Sequence, residues 1–509
     1  MAHILSPPIS EGNAKGRCGH DLLSATMALN DLRDYLQTLR SFGEIQDIAL
    51  PVALDLEVSA IARRCYETGA PAPLFSNFSD HPQGFRLLGA PAGLSRQAGL
   101  RLARAAVSLG LPATSGGLDI VRAIAESLAL PAIDPVRRTD AACFENVLIE
   151  EAVDLNLLPL PTQRRDDSPH RLSAWGCVVA QTPDGTWTEW SIAHLMPTGT
   201  RRMLGLCTPS RHLQTIVRSW ADAERPMPFA LALGVMPSIP FICCMPLPAH
   251  VNKAGRLGAL LRRPLETVLC RTIALEAPAS AEILIEGYLE SNEILECRMG
   301  DRLGFHWAEN VQKQFTCRVT AMSYRDKAIL PVIGSGEPVD EYQTAYGIPA
   351  AAQFLHELRG AGLAVSDVWL PLEAAQHWII VTVPRDWRRK SGVGGSDAFC
   401  RHIGERLFVH IFESAIPQII VINDDVNPTA NDEILWALAT RCHPENGRVH
   451  CGHIENERVQ TDKIVYNCLP PEEWGEALPI RASFRHGYPS HIVERVLSRW
   501  EAYGFREID

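Results

Sequence analysis

The 509-residue chain lacks the short signatures that identify many enzymes from sequence alone. It contains no P-loop, no dinucleotide-binding glycine fingerprint and no catalytic-triad signature, and we find no internal repeat. The CxxC spacing that is typical of zinc ribbons and redox sites is also absent, although the chain has 14 cysteines. These absences argue against the common nucleotide-binding, serine-hydrolase and zinc-module classes.

Basic charge is also scarce. Lysine and arginine total 48 against 59 acidic residues, which gives a formal net charge of −11 and argues against nucleic acid or an anionic membrane as partner. The most apolar run, residues 226–248, contains six prolines that would break a spanning helix, so we expect buried extended segments there. No basic start followed by an apolar core opens the sequence. We therefore expect a cytoplasmic protein with reduced cysteines.

Composition and periodicity predict a multidomain α/β (α+β) chain. Residues 1–28 are polar and predict a disordered extension, and residues 29–135 combine helical stripes with strands into a mixed α/β domain. Residues 136–335 contain many short strand-like runs separated by turns, which predict a β-barrel domain. Helical and strand patterns alternate over residues 336–480, as in an α/β domain. A last helix is expected within 481–509.

That last helix has an apolar stripe on one face, made by Ile492, Val493, Val496, Leu497 and Trp500. Such a face can pack on its own chain or on a partner subunit. We expect a homodimer with this helix at or near the interface.

Three stretches carry residue types that are suited to catalysis or to ligand binding. Residues 187–212 collect hydroxyl, imidazole and guanidinium groups on a strand and the loop after it, which suits either a polar surface or a pocket for an anion. The glycine-rich residues 390–397 follow a basic run and could hold a phosphate, or form an ordinary loop. Glu296 and Asp301 lie close in sequence and could divide acid and base roles, or form a solvated turn.

Four longer stretches resemble the UbiD family, decarboxylases that use prenylated FMN and include the fungal ferulic acid (phenylacrylic acid) decarboxylases. They read "LRDYLQTLRSFGEIQDIALPVALDLEVSAIARR", "DGTWTEWSIAHLM", "CCMPLPAHVNKAGRLGALL" and "INDDVNPTANDEILWALATRC", in family order from about residue 30 onward. The resemblance implies that the central domain is a flavin-binding split barrel. It also favours the anion-pocket interpretation of residues 187–212.

The resemblance implies a cofactor site for prenylated FMN. Ser191, Ile192 and Ala193 match the family's cofactor strand, His212 lies in the loop that follows, and Lys390 matches a lysine that contacts the phosphate. The complete set of expected cofactor-binding residues is Ser191, Ile192, Ala193, Arg211, His212, Cys243, Cys244, Met245, Pro246, Lys253 and Lys390.

The resemblance also implies a catalytic set of Glu296, Asp301 and His194. Glu296 and Asp301 fall at the family's paired catalytic acids. His194 stands where the family has an arginine that binds the substrate carboxylate. Arginine is a permanent bidentate cation, whereas histidine titrates near neutral pH and offers fewer donors, so the substitution puts the substrate contact in question.

The family's metal site is altered in this chain. Three side chains bind a divalent cation in the family, and here Glu189 replaces an asparagine, Lys253 replaces a glutamate, and only His212 is kept. His212 and Glu189 are the remaining candidate ligands for Mn or Mg, with K as a further candidate ion. A protonated lysine cannot ligate a cation, so Lys253 could instead pair with Glu189 and replace the metal.

Two functions remain open at this point. The first is a carboxy-lyase that removes CO₂ from an aromatic or α,β-unsaturated carboxylic acid, with a flavin prenyltransferase as supplier of the cofactor. The second is a degenerate relative without decarboxylase activity, either a scaffold subunit or a repurposed cofactor-free enzyme. The retained acids, Lys390 and the cofactor strand favour the first.

Overall fold

The computed structural model describes residues 29–164, 175–192, 195–205, 211–298, 301–302, 304–306, 311–410, 418–451, 454–455, 458–459, 463–470 and 481–505. The predicted extension of residues 1–28 lies outside these ranges. No helix within them combines the length and the hydropathy that a membrane span requires.

Twelve α-helices are assigned within the described ranges. They are α1 Leu32–Ser41, α2 Glu57–Thr68, α3 Ala103–Ser108, α4 Gly117–Leu128, α5 Arg211–Asp222, α6 Ser238–Cys244, α7 Lys253–Leu261, α8 Glu341–Gly360, α9 Trp387–Ser391, α10 Ser396–His410, α11 Asn431–Arg441 and α12 Ser490–Leu497.

The strands up to residue 278 are β1 Ile45–Ile48, β2 Ala72–Phe75, β3 Arg86–Gly89, β4 Val136–Arg138, β5 Asn146–Ile149, β6 Gly176–Gln181, β7 Thr188–Ser191, β8 Leu195–Pro197, β9 Arg202–Gly205, β10 Met227–Leu233, β11 Glu266–Leu269 and β12 Glu276–Pro278. The later strands are β13 Ile283–Arg298, β14 Asp301–Arg302, β15 Phe305–His306, β16 Val311–Tyr324, β17 Ile329–Val332, β18 Asp367–Trp369, β19 Trp378–Val383, β20 Gln418–Asn423, β21 Arg448–Cys451, β22 Ile454–Glu455, β23 Arg458–Val459 and β24 Lys463–Asn467.

The N-terminal region packs helices on a four-stranded sheet with the order β1-β2-β3-β17. Helix α1 begins after Asp31, whose carboxylate accepts a hydrogen bond from the Asp34 backbone N–H, and it buries a leucine-rich stripe against this sheet. Strand β17, which the sequence placed in the central region, pairs in parallel with β3. All four of its residues are buried although β17 is at the end of the strand order, because Ile329 packs in one hydrophobic cluster and Leu330 and Val332 pack in another.

The central region is built on one large antiparallel sheet. Its strands follow the order β7-β6-β10-β13-β16-β9-β8, and β5 also pairs with β16. The long hairpin of β13 and β16 forms the middle of the sheet, so β7 and β8 lie at its two ends. A small sheet of β12, β11 and β4 lies beside it. The strand-rich prediction is correct for this region, and closure into a barrel stays a prediction.

The C-terminal region has a five-stranded sheet with the order β18-β19-β20-β24-β21. Its three inner strands are parallel and its two edge strands are antiparallel to their neighbours. The alternation of helices and strands predicted for this region is therefore present. Helix α12 follows, and none of its side chains is buried.

The proline-rich run differs from the prediction in its second half. Strand β10 is extended and buried as expected, but the next segment forms helix α6. Pro237 is the N-cap of this helix and Pro240 lies in its first turn, where backbone N–H groups have no intrahelical acceptor. Proline is therefore compatible with a helix at these positions, although it would break one in the interior.

Candidate functional site

The candidate site is built around the edge strand β7. Helices α5, α6 and α7 all pack against this strand. Along β7, Glu189 and Ser191 share one face, and both side chains are buried. Trp190 points to the opposite face and joins the largest hydrophobic core. Tight packing of the strand on both sides therefore fixes the position of Glu189.

A buried ammonium group lies at the centre of the site. Lys253 is the first residue of α7, and its Nζ donates hydrogen bonds to Glu189 Oε1 at 2.6 Å, to the Trp190 carbonyl at 2.9 Å and to the Cys243 carbonyl at 3.2 Å. Three acceptors match the three donors of an ammonium group. The ion pair between Glu189 and Lys253 that the sequence suggested is therefore present in the structure.

The second carboxylate oxygen of Glu189 faces a histidine. His212, in the first turn of α5, places Nδ1 3.6 Å from Glu189 Oε2. Burial raises the pKa of the Glu189 carboxyl, but attraction to Lys253 and hydrogen bonds from His212 and Lys253 outweigh burial, so its pKa lies below the usual value. Glu189 is therefore held as a carboxylate at neutral pH, although its side chain is almost completely buried.

A tryptophan connects this cluster to two histidine rings. The ring of Trp187 contacts that of His212 at a centroid distance of 5.3 Å and that of His250 at 4.5 Å. Trp187 Nε1 is buried and has no hydrogen-bond acceptor among the described residues. A buried N–H without an acceptor costs free energy, so an oxygen atom within reach of Nε1 would be stabilised there.

The cysteines of the candidate cofactor segment are neutral thiols. Cys243 and Cys244 end helix α6, and Met245 and Pro246 follow directly. Burial raises the pKa of Cys244 to about 12 and that of Cys243 well above its usual value. Neither group would be a thiolate near pH 7, so these residues contribute backbone carbonyls and apolar surface rather than nucleophiles or soft metal ligands.

Lys390 lies in a more exposed setting. It belongs to the short helix α9, about half of its side chain is exposed, and its Nζ lies 3.0 Å from Asp386 Oδ1. This ion pair is local to α9. The structure thus places Lys390 on a surface, and its predicted phosphate contact stays a prediction.

Several predicted site residues can be located only in part. Ala193 and His194 lie outside the described residues, and for Arg211, Glu296 and Asp301 the structure describes only the backbone. Glu296 is in β13, in register with Lys313 of β16, and Asp301 is in β14, in register with His306 of β15. The catalytic roles of these residues stay predictions.

The donor set around Glu189 does not fit a divalent metal ion. The ammonium of Lys253 occupies the space between Glu189 Oε1 and the two carbonyl oxygens. A cation of this kind excludes a second one, and no group of three or more metal-ligating side chains occurs in the part of the chain that the structure describes. The expected ligation of Mn or Mg by His212 and Glu189 stays a prediction that this geometry argues against.

Sequence reasoning missed several contributors to the site. The carbonyls of Trp190 and Cys243 bind the ammonium, and His250 contacts Trp187. Backbone acceptors leave no trace in residue identity, and His250 is exposed, so no local pattern marks it as a neighbour of Trp187. The sequence shows two tryptophans close together, Trp187 just before β7 and Trp190 within it. Their contacts with α5 and with the segment before α7 depend on the fold and cannot be read from the sequence.

Known protein families match most of the chain. The models of the 3-octaprenyl-4-hydroxybenzoate carboxy-lyase family, UbiD, match with the N-terminal domain at residues 36–124, the Rift-related domain at residues 134–338 and the C-terminal domain at residues 343–460.

Two characterised relatives cover nearly the full chain. Pyrrole-2-carboxylic acid decarboxylase of Pseudomonas aeruginosa is 36% identical over 490 residues, which is 93% of this chain and 98% of that protein. Ferulic acid decarboxylase 1 of Saccharomyces cerevisiae is 30% identical over 497 residues, covering 94% and 98% respectively.

Solved structures share the fold at low identity. Vanillic acid decarboxylase of Sedimentibacter hydroxybenzoicus, in its closed form, superposes with a TM-score of 0.78 at 17% identity and covers 93% of this chain and 99% of that chain. HmfF of Pelotomaculum thermopropionicum, an evolved dimeric UbiD-class enzyme in complex with prFMN, gives 0.73 at 22% identity, covering 87% and 95%. The mixed α/β multidomain prediction is confirmed by this likeness.

Proposed function

The chain belongs to the UbiD family, and from this premise we propose that it is a prenylated-FMN-dependent decarboxylase. Its substrate would be an aromatic or α,β-unsaturated carboxylic acid. Relatives at 36% and 30% identity are decarboxylases of pyrrole-2-carboxylic acid and ferulic acid, which belong to these two classes. Because the matched residues span nearly the whole of both chains, the likeness supports a common reaction.

The observation that carries the proposal is the polar cluster beside β7. It brings together Glu189, Lys253 and His212 and leaves the buried N–H of Trp187 without an acceptor among the described residues. An unsatisfied donor beside two imidazole rings fits the anionic end of a flavin, since it would donate a hydrogen bond to an oxygen atom there. Ser191 at the end of β7, Ile192 directly after it, and Cys243 to Pro246 at and just beyond the end of α6 would hold the rest of the cofactor.

We propose separate tasks for the catalytic residues. The bound cofactor would supply an electron sink for the electron pair that remains when CO₂ leaves. His194 would bind or steer the substrate carboxylate, Glu296 would orient that basic partner, and a carboxyl oxygen of Asp301 would deliver the proton that replaces CO₂. Glu296 lies in β13, and Asp301 lies in β14, a short strand that pairs with β15.

A second candidate function is a degenerate relative without decarboxylase activity. It is favoured by the same cluster, in which a lysine occupies the place where the family has a metal-binding glutamate. In that case the ion pair would be a structural replacement in a site that no longer turns over. We favour the enzyme, because relatives at 36% and 30% identity that span nearly the whole chain are decarboxylases.

We also propose the finer architecture that the family suggests. The central domain, residues 136–335, would be a split barrel, flanked by a mixed domain at 29–135 and an α/β domain at 336–480. The chain would form a homodimer through or near α12, whose apolar side chains Ile492, Val493 and Val496 are only partly buried. One structural relative is itself an evolved dimeric form, which supports the proposal.

The test of the proposed function is a loading experiment. The full chain is co-expressed with a flavin prenyltransferase, and the absorbance spectrum and the mass of the released cofactor are recorded. The loaded protein is then offered pyrrole-2-carboxylate, ferulate and a saturated analogue, and CO₂ release is measured. We expect a bound prenylated flavin and turnover of at least one unsaturated acid. Bound flavin without turnover of any acid would favour the degenerate relative.

A further inference from the structure

The oxygen atoms around Lys253 form a cation site whose occupant belongs to the chain. We propose that the Lys253 ammonium is the resident cation of the candidate cofactor site, and that the site therefore takes neither Mn²⁺ nor Mg²⁺. The part of this inference that concerns the flavin rests on the proposed function. The part that concerns metal binding does not.

The geometry supports this assignment in two ways. Glu189 Oε1 and the carbonyl oxygens of Trp190 and Cys243 converge on one point, at 2.6, 2.9 and 3.2 Å from Nζ. Carboxylate and carbonyl oxygens are the ligands that hard cations prefer. An ammonium group has three donors, so these three acceptors use its full capacity, and the ammonium occupies the point on which the oxygens converge.

Charge balance supports it as well. Glu189 and Lys253 are both almost completely buried, and together they are neutral. A divalent ion inserted among the same oxygens would lie within a few ångströms of the ammonium and would face only one carboxylate. Two cations so close in a desolvated site repel each other strongly. Entry of a metal would require Lys253 to leave or to lose its proton.

The position of Lys253 in the fold makes the arrangement rigid. Asn252 caps α7 by accepting a hydrogen bond from the Gly255 backbone N–H, and its side-chain nitrogen donates to Asp134 at 2.9 Å. The start of the helix, and with it the lysine stem, is therefore fixed between α6 and β7. A cation attached to such an element cannot be removed by a chelator, unlike a bound metal ion.

The first test measures metal in the wild-type protein. The full chain is purified without chelator, its content of Mn and Mg is determined by elemental analysis, and its thermal unfolding is followed with EDTA and with added MnCl₂. We expect less than one-tenth of a metal ion per chain and no change in melting temperature with either addition. One equivalent of tightly bound Mn or Mg, or a clear fall in melting temperature with EDTA, would overturn the proposal.

The second test replaces the lysine ammonium with a metal ion that is supplied from solution. The double variant Glu189→Asn with Lys253→Glu restores the ligand types of the family, so it should bind about one Mn²⁺. Saturating MnCl₂ should then raise its melting temperature by roughly 5 °C. Arg104→Met is the control. It breaks a buried ion pair in helix α3, far from Lys253 in sequence, and should not respond to MnCl₂. A double variant that folds but ignores MnCl₂ would count against the proposed cation site.

The third test uses the flavin. Protein loaded by co-expression with a flavin prenyltransferase is dialysed against EDTA, and the ratio of flavin to protein is read by absorbance. Wild type should keep its flavin. The flavin content of the double variant should fall several-fold and should recover when MnCl₂ is added. Loss from wild type on chelation would overturn the inference. Absence of flavin from every preparation would instead refute the proposed function, and the metal measurements would still decide the inference.

Discussion

Two buried ion pairs in this chain have the same net charge and different surroundings. In the N-terminal region Arg104 pairs with Glu44 at 2.9 Å, and in the central region Lys253 pairs with Glu189 at 2.6 Å. Arg104 and Glu44 are each only 1% exposed, and Lys253 and Glu189 are 5% and 1% exposed. Burial alone therefore does not distinguish the two pairs.

The pairs differ in whether the polar groups around them all have hydrogen-bond partners. The Glu44 carboxylate also accepts hydrogen bonds from Ser95 and Gln97, and the Arg104 guanidinium donates to the carbonyls of Ala70 and Ala90. This network closes on itself, as expected of a structural element. The network around Lys253 ends at a tryptophan N–H without an acceptor among the described residues. The two networks therefore differ in one buried donor, which in the network around Lys253 has no acceptor among the described residues.

The largest expected effect is at the structural pair. Arg104→Met should lower the free energy of unfolding by about 3–5 kcal/mol, because Glu44 would be left buried without its counterion. Urea denaturation measures the loss. Arg101→Met is the matched control, since Arg101 pairs with Glu373 on the surface and should cost about 0.5 kcal/mol or less. Equal losses for the two variants would contradict the assignment of Arg104 to a structural network.

Lys253→Met should cost about 3 kcal/mol at pH 7 and less at pH 5. In the wild type the pKa of Glu189 is lowered, so its contribution to stability is present at neutral pH and is lost as pH falls through that pKa. Without Lys253, burial would raise the pKa of Glu189, and protonation at low pH would relieve the buried charge. Urea denaturation at both pH values tests this. A cost independent of pH would show that Glu189 remains ionised without the lysine.

Asp301→Asn tests catalysis, whereas the two ion-pair variants test stability. We expect turnover of the flavin-loaded protein to fall about a hundredfold or more, since the amide cannot deliver the proton that replaces CO₂. The flavin content and the melting temperature should stay at wild-type values, in contrast to the two ion-pair variants. Steady-state CO₂ release and absorbance are the measurements. Unchanged turnover would remove Asp301 from the mechanism.

Val493→Asp probes the surface of α12. Sedimentation of the wild type at micromolar concentration should show a dimer, and the variant should weaken it about tenfold, because an aspartate would be buried in an apolar contact. Glu494→Gln, at an exposed position of the same helix, is the control and should leave the dimer intact. A monomeric wild type would refute the proposed assembly.

The smallest expected effect concerns a buried carboxyl whose hydrogen-bond donors are neutral. Glu341 accepts from the Tyr66 hydroxyl and from the Ala92 backbone N–H, and burial raises its pKa to about 7. A raised pKa stabilises the protein below the unfolded value near 4.5, and this stability is lost as pH rises through 7. The free energy of unfolding should fall by about 1 kcal/mol between pH 6 and pH 8. Glu341→Gln should remove that slope.

Much of the fold could be predicted from sequence because helices and strands depend on local patterns of apolar and polar residues. The leucine stripe of α1, the alternation of the C-terminal region and the strand-rich central region all follow from periodicity. Two features differ from these patterns: β17 pairs with the sheet of the N-terminal region, and the second half of the proline-rich run forms helix α6 instead of an extended segment. The apolar run of β17 carries no information on which sheet it joins, and Pro237 and Pro240 lie at the N-cap and in the first turn of α6, where a helix tolerates proline.

The sequence by itself determined the family, the residue types of the candidate site and the suspicion that Lys253 and Glu189 form a pair. These properties depend on the order and identity of residues, which local patterns and family motifs preserve. Only the tertiary structure decided that the ammonium is held by the carbonyls of Trp190 and Cys243 as well, and that Trp187 Nε1 lacks an acceptor among the described residues. Backbone acceptors and burial arise when β7, α6 and α7 pack together, because atoms far apart along the chain must first be brought within hydrogen-bond distance.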